Sequence, residues 1–138
     1  MPSRVSQVPA ADSTDAVRHF ECALSFETDC WDVHDALSRQ NDFVLVDVRS
    51  PELFARGHVP GAINIPHAKI IASRMAHYAP ATLFVVYCAG PHCNGAQRAA
   101  GRLARLGLPV KLMIGGMTGW LDEGFRIERA NAAETAAG

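Results

Sequence analysis

Leu83-Phe84-Val85-Val86-Tyr87-Cys88-Ala89-Gly90-Pro91-His92-Cys93-Asn94-Gly95-Ala96 decides the fold class. Its first half is an unbroken apolar run, rich in β-branched and aromatic residues. A strand without polar alternation is buried on both faces, the pattern of a parallel sheet covered by helices. A short loop containing glycine and proline follows. Beyond it, Ala96, Ala99, Ala100, Leu103 and Ala104 recur at helical spacing. Arg98, Arg102 and Arg105 fall on the opposite side, and Gly107 stands where a C-cap glycine belongs. Val110-Lys-Leu-Met-Ile114 then reads as the next strand and closes a βαβ unit. Upstream, Phe43-Val-Leu-Val-Asp47 is another apolar run of the same kind. The predicted class is α/β, a central, mainly parallel sheet with helices on both faces.

Working outward, residues 1–12 read as a flexible leader, residues 13–128 as one domain and residues 129–138 as a flexible tail without bulky apolar side chains. A capping signal at Asp12-Ser13-Thr14-Asp15 predicts a helix over 13–24, with Ala16, Val17, Phe20, Ala23 and Leu24 at helical spacing. Thr28-Asp29 opens a second helix that presents Val33, Ala36 and Leu37 and ends near Gln40-Asn41. No internal repeat is found.

At 138 residues, 49% of them apolar, the chain is long enough to bury one sizeable core. Lys and Arg number 13 against 14 for Asp and Glu, and this near-balance argues against a general nucleic-acid binder. No apolar run approaches the ~20 residues needed to span a bilayer. The first residues lack the apolar stretch of a signal peptide, so a cytoplasmic protein with no nucleic-acid or membrane partner is expected. The cysteines, Cys22, Cys30, Cys88 and Cys93, include no C-x-x-C pair, and the six histidines show no ligand-like pairing. Reduced thiols are expected, with no metal and no organic cofactor.

Cys88 closes the strongest strand, with a helix following shortly after. Side chains at the carboxyl ends of parallel strands are where open α/β sheets build their sites. The loop Ala89 to Gly95 can aim several backbone N–H groups at one spot, and the helix N-terminus adds positive potential. A thiol held there has a lowered pKa and reacts as thiolate. The competing reading is an inert core cysteine ending a strand. Local sequence leaves both open.

A second stretch separates them. Asp47-Val-Arg49-Ser-Pro-Glu52, then Gly57-His58-Val-Pro60-Gly61-Ala62-Ile-Asn64-Ile-Pro66, strongly resembles the rhodanese homology domain. Gly115-Gly116-Met-Thr-Gly119-Trp120 looks like the family's G-G-x-x-x-W element, and Tyr87-Cys88 stands where the family places its reactive cysteine. Three motifs in the right order cover roughly residues 28–125. The resemblance implies a rhodanese-like fold and sulfurtransferase activity of the thiosulfate:cyanide type. Cys88 would take a sulfane sulfur from a small donor, become a persulfide, and pass the sulfur to a thiophilic acceptor, which includes the case of a protein thiol. Ala89, Gly90, Pro91, His92, Cys93, Asn94 and Gly95 would form the substrate-binding loop. Asp47, Arg49, Glu52 and His58 would be structural: the first three an ion-pair scaffold, His58 a partner for backbone groups in a turn. Gly115 and Gly116 would serve backbone conformation, and Trp120 would anchor the core.

The loop departs from the common family pattern. Many members place an arginine five residues after the nucleophile; here that position is Cys93, and Ala99-Ala100 arrive about two positions late. The sequence better resembles a subset with a C-x-G-P-x-C-N-G-A loop, in which Cys93 would be a resolving thiol. Two other function classes remain in view. One is a non-catalytic interaction or regulatory module on the same fold. The other is phosphatase or arsenate-reductase-like oxyanion chemistry, which a longer loop suits but which normally needs a bidentate arginine.

Overall fold

The computed structural model describes residues 1–130. Five parallel strands form one sheet: β1 (Glu27–Thr28), β2 (Val44–Asp47), β3 (Ile63–Asn64), β4 (Phe84–Tyr87) and β5 (Val110–Met113). Their spatial order is β1-β5-β4-β2-β3, and every pairing is parallel. The three strands predicted from apolar runs are thus the sheet's centre, with β4 in the middle. The edge strands β1 and β3 have two residues each, too few to generate a periodicity in the sequence.

Seven α-helices are present among the described residues: α1 (Arg4–Gln7), α2 (Ser13–Phe26), α3 (Cys30–Arg39), α4 (Pro51–Arg56), α5 (Ala72–Met75), α6 (Gly95–Arg105) and α7 (Gly116–Asp122). Local chemistry sets their starts. Asp12, Asp29 and Ser50 each accept a backbone N–H of the helix that follows, and Pro51 adds a preset φ at the first position of α4. Gly107, at φ +79°, lies just beyond α6 as expected.

Alternation along β4 divides the core in two. Phe84, Val86 and Cys88 face α6, together with Ala96, Ala99 and Leu103. Val85 and Tyr87 face the other way, against Cys30, Val33, Met117 and Trp120. Both faces are buried, and the one polar side-chain atom of β4, the Tyr87 hydroxyl, accepts the Val59 N–H (3.0 Å).

Three observations concern the two ends of the described chain. The stripe on α2 does not join the core: Val17, Phe20 and Leu24 are more than half exposed, and the helix has no buried residue. Residues 4–7 within the predicted leader form one helical turn, closed by a Ser3–Ser6 capping box. Of the predicted tail, Ala130 donates its N–H to the Ala55 carbonyl (3.1 Å), and Arg129 Nε donates to the Arg56 carbonyl (3.1 Å). The rest of that tail, 131–138, lies outside the described residues. Among the described residues no helix is long and apolar enough to cross a membrane.

Candidate active site

β4 delivers Cys88 to the carboxyl end of the sheet, where the residue is only 7% exposed. The chain then turns on itself, with the Cys93 N–H donating to the Gly90 carbonyl (3.1 Å). From below, α7 holds the loop. Met117 N–H donates to the Cys88 carbonyl (3.0 Å), while Thr118 gives both its N–H (2.9 Å) and its hydroxyl (3.0 Å) to the Ala89 carbonyl. This close approach needs glycine at 116, where φ is +58° and a Cβ would lie 2.5 Å from the Cys88 carbonyl oxygen. The G-G-x-x-x-W element therefore does more than shape its own backbone. It is the floor under the cysteine loop, anchored by the buried Trp120, whose indole N–H donates to the Arg126 carbonyl (2.9 Å).

Cys88 and Cys93 are joined by a disulfide. The expectation of four reduced thiols is corrected here: a four-residue spacer spanning a tight turn brings the two sulfurs together, although no C-x-x-C pair exists. Cys22 is free and exposed, and Cys30 is free and buried. Burial, with the charges of Asp29 and Glu123 adding to it, pushes the Cys30 thiol up to about 11. That thiol is an unreactive core residue at neutral pH.

Of the loop amides expected to face the sulfur, the Gly95 N–H points at Cys93 Sγ (3.4 Å), while the Cys93 N–H is spent within the turn. Asn94, at the start of α6, does not cap the helix; its side-chain oxygen accepts from Arg98 Nε (3.2 Å). The first-turn N–H groups of α6 thus keep their positive end without a side-chain cap. Ala89, Pro91 and His92 are exposed.

Gly95 marks a meeting point that the sequence reading missed. A Cβ there would lie 2.9 Å from Cys88 Sγ, 3.4 Å from Cys93 Sγ and 3.7 Å from His67 Cδ2. His67 opens a 3-10 turn (His67–Lys69) after β3, and its backbone N–H donates to the Val48 carbonyl (3.2 Å). Its ring Nδ1 is buried without a hydrogen-bond partner, the one such side-chain atom among the described residues. An unsatisfied buried nitrogen costs roughly 1–3 kcal/mol and calls for an explanation. The available signal was its place immediately after Asn64-Ile-Pro66, at the end of the longest motif.

The remaining motif residues lie in a structural network. Arg49 grips the buried Asp47 in a bidentate pair and donates to the Gly57 carbonyl (2.7 Å). Burial opposes the Arg49 cation, but the hydrogen bonds and charge of Asp47 outweigh it and hold its pKa above the ordinary value. Asn64 Nδ2 donates to the carbonyls of Asp47 and Arg49 (3.0 Å each), so β2, β3 and the end of α4 are tied together. Glu52 is outside this group: it is exposed in the first turn of α4 and forms no ion pair among the described residues. His58 Nδ1–H donates to the Phe54 carbonyl (2.8 Å), and the ring stacks on Phe54 at 3.7 Å. A cavity of about 880 Å³ lies along the outer edge strand between Phe54, Ile63, Pro66, Lys69 and Tyr78. No residue of the 88–95 loop lines it.

The chain matches the profile described as Rhodanese-like domain over residues 31–123. It belongs to the rhodanese-like family. Among similar proteins is the thiosulfate sulfurtransferase GlpE of Pseudomonas putida, 35% identical over 104 residues, 74% of this chain and 84% of that one. The HTH-type transcriptional regulator Rv0324 of Mycobacterium tuberculosis is 41% identical over 88 residues, 63% of this chain. The rhodanese-like chain spans only 38% of that regulator's length. Among solved structures, the BH2092 protein of Bacillus halodurans superposes with a TM-score of 0.83 at 32% identity, over 92% of this chain and all of that one. The rhodanese-like domain of the Anabaena sp. Alr3790 protein shares the fold at a TM-score of 0.68 and 24% identity, over 81% of this chain and 85% of that one.

Proposed function

We propose that this rhodanese-like protein is a sulfurtransferase that carries sulfane sulfur as a persulfide on Cys88. The observation behind this reading is the Cys88 sulfur at the carboxyl end of β4, bonded to Cys93 beside the N-terminus of α6. In the reduced protein, the Cys88 thiolate attacks the outer sulfur of thiosulfate. The S–S bond of the donor breaks, sulfite leaves, and Cys88 holds the persulfide. A thiophilic acceptor such as cyanide or a protein thiol then takes the outer sulfur and returns the thiolate.

Cys93 acts second. Its thiolate attacks Cys88 Sγ of the persulfide, hydrosulfide leaves, and the Cys88–Cys93 disulfide forms, which is the bond seen in the structure. An external dithiol reopens it by exchange and becomes a disulfide itself. This is the reading under which the C-x-G-P-x-C-N-G-A loop has two working thiols. The cytoplasm, with its thiol reductants, is the compartment that fits such a cycle.

The test is intact mass after reduction, removal of the reductant and incubation with thiosulfate. A gain of one sulfur on wild type and Cys93→Ser, but not on Cys88→Ser, supports the assignment; loading that survives Cys88→Ser and is lost in Cys93→Ser reverses it. The similarity to a transcriptional regulator favours a second reading, a regulatory module whose signal is the state of the same two thiols. That reading gains if neither variant nor wild type takes up sulfur or transfers it to cyanide. Oxyanion chemistry lacks support, because no arginine stands between residues 88 and 95.

A further inference from the structure

We propose that His67 is the acid–base partner of the Cys88–Cys93 pair, turning a ring nitrogen toward the sulfurs when the disulfide is open. The proposal rests on the reading of Cys88 as the working thiol and assigns the group that exchanges its proton. Three side-chain atoms lie nearest the point in front of Gly95, and they belong to Cys88, Cys93 and His67. The ring therefore borders the same space as both sulfurs.

Its orientation is the informative part. Cδ2, a carbon, is the ring atom near that point, while Nδ1, on the opposite side of Cγ, is buried without a partner. A half-turn about Cβ–Cγ exchanges the two, turning the nitrogen toward the sulfurs and placing a carbon where the nitrogen has no partner. In the disulfide state that turn gains little, since a disulfide has no proton to give and is a poor acceptor. Once the bond opens, a thiol or thiolate is present, and a nitrogen facing it forms a hydrogen bond or an imidazolium–thiolate pair. Such a pair favours the thiolate, the reactive form of a cysteine.

The same nitrogen serves both halves of the cycle. When a dithiol attacks the half-buried Cys93 sulfur, the S–S bond breaks and Cys88 leaves as thiolate, stabilised by the protonated ring. Before attack on a sulfur donor, the neutral ring takes the Cys88 thiol proton. The ionisable groups on the elements around the ring have other positions or partners. Lys69 on its own turn is exposed and lines the edge cavity, Arg98 of α6 is bonded to Asn94, and Arg102 lies further along α6. Asp47 and Arg49 at the end of β2 are paired with each other, and exposed His92 lies on the loop.

The experiment follows Cys88 alkylation by iodoacetamide in the reduced protein, by peptide mass from pH 5 to 9, for wild type, His67→Asn and His67→Ala. The expected result is a roughly tenfold slower reaction near pH 7 in both variants, with the profile displaced to higher pH. Added imidazole partly restores His67→Ala. Superimposable profiles for wild type and folded variants overturn the proposal. Independently of any variant, the His67 ring nitrogens of ¹⁵N-histidine-labelled wild type are observed by NMR at pH 7. A change in their chemical shifts between the disulfide and the reduced form is expected, and identical shifts overturn the proposal. If His67 controls alkylation while wild type takes no sulfur from thiosulfate, the sulfurtransferase reading fails and this one stands.

Discussion

At the scale of single residues, the proposed mechanism makes sulfur transfer depend on the redox state of the pair Cys88–Cys93. Neither sulfur of a disulfide can accept sulfane sulfur as a thiolate does, so under that mechanism the protein with this bond closed would not react with thiosulfate. Thiosulfate consumption by oxidised wild type should therefore be near zero and rise on treatment with a dithiol. Cys93→Ser, which cannot close the bond, should be active without that treatment. Equal initial rates for oxidised and reduced wild type would remove the disulfide from the mechanism. Gly95 is the second residue-scale determinant. A Cβ there would lie 2.9 Å from Cys88 Sγ, inside contact distance, and nothing beyond a side-chain shift can relieve it. Gly95→Ala should keep the fold, at a cost of about 1–3 kcal/mol for the extra methyl, yet lower sulfur loading by roughly tenfold because the sulfur is pushed from its place. Loading at the wild-type rate in Gly95→Ala would show that the sulfur position is not critical.

At the scale of elements, the loop after β4 takes its shape from α7 rather than from its own residues. The carbonyls of Cys88 and Ala89 are fixed by Met117 and Thr118, and Gly116 permits the approach. Gly116→Ala meets both a positive φ and a backbone oxygen, so a loss of at least about 1–3 kcal/mol is expected together with slower loading. Thr118→Val removes only the hydroxyl donor, leaves the backbone bond in place, and should cost about 0.5–1.5 kcal/mol. Urea unfolding of both variants tests the ranking; a milder effect at Gly116 than at Thr118 would refute this role for α7. The element scale is also where sequence and structure part. Strands β2, β4 and β5 were legible because burial on both faces leaves a continuous apolar run. The family motifs were legible as letters, and through them the place of Cys88. The contacts between motifs were not: nothing in Gly115-Gly116 announces that it lies beneath residues 88–90, and nothing in Pro66-His67 announces Gly95. Such contacts join segments far apart in the chain, and periodicity reports only near neighbours. The α2 stripe misled for the converse reason, since spacing specifies a face but not what covers it.

At the scale of the whole molecule, stability resides in the two apolar layers around β4, and the one against α3 and α7 encloses two acids that must stay neutral. Cys30 is held by burial at a pKa of about 11, and Tyr87, buried and beside the Asp47 charge, is also raised above its ordinary value. In the unfolded chain a cysteine releases its proton near pH 8.5 and a tyrosine near 10. As pH rises past these values, the unfolded chain binds fewer protons than the folded one, and stability falls with pH. The contribution of the two groups is thus fully present below about pH 8.5 and is lost progressively above it. For Cys30 the loss is complete near pH 11 and amounts to about 3 kcal/mol. Urea midpoints of the disulfide-bonded protein, in which Cys88 and Cys93 do not titrate, should be level from pH 7 to 8.5 and decline beyond. Cys30→Ala should start from its own baseline and show a shallower decline between pH 9 and 11, the remainder coming from Tyr87. Parallel declines for the two proteins would mean that Cys30 ionises with the same ease folded and unfolded, and that the layer against α3 and α7 admits charge.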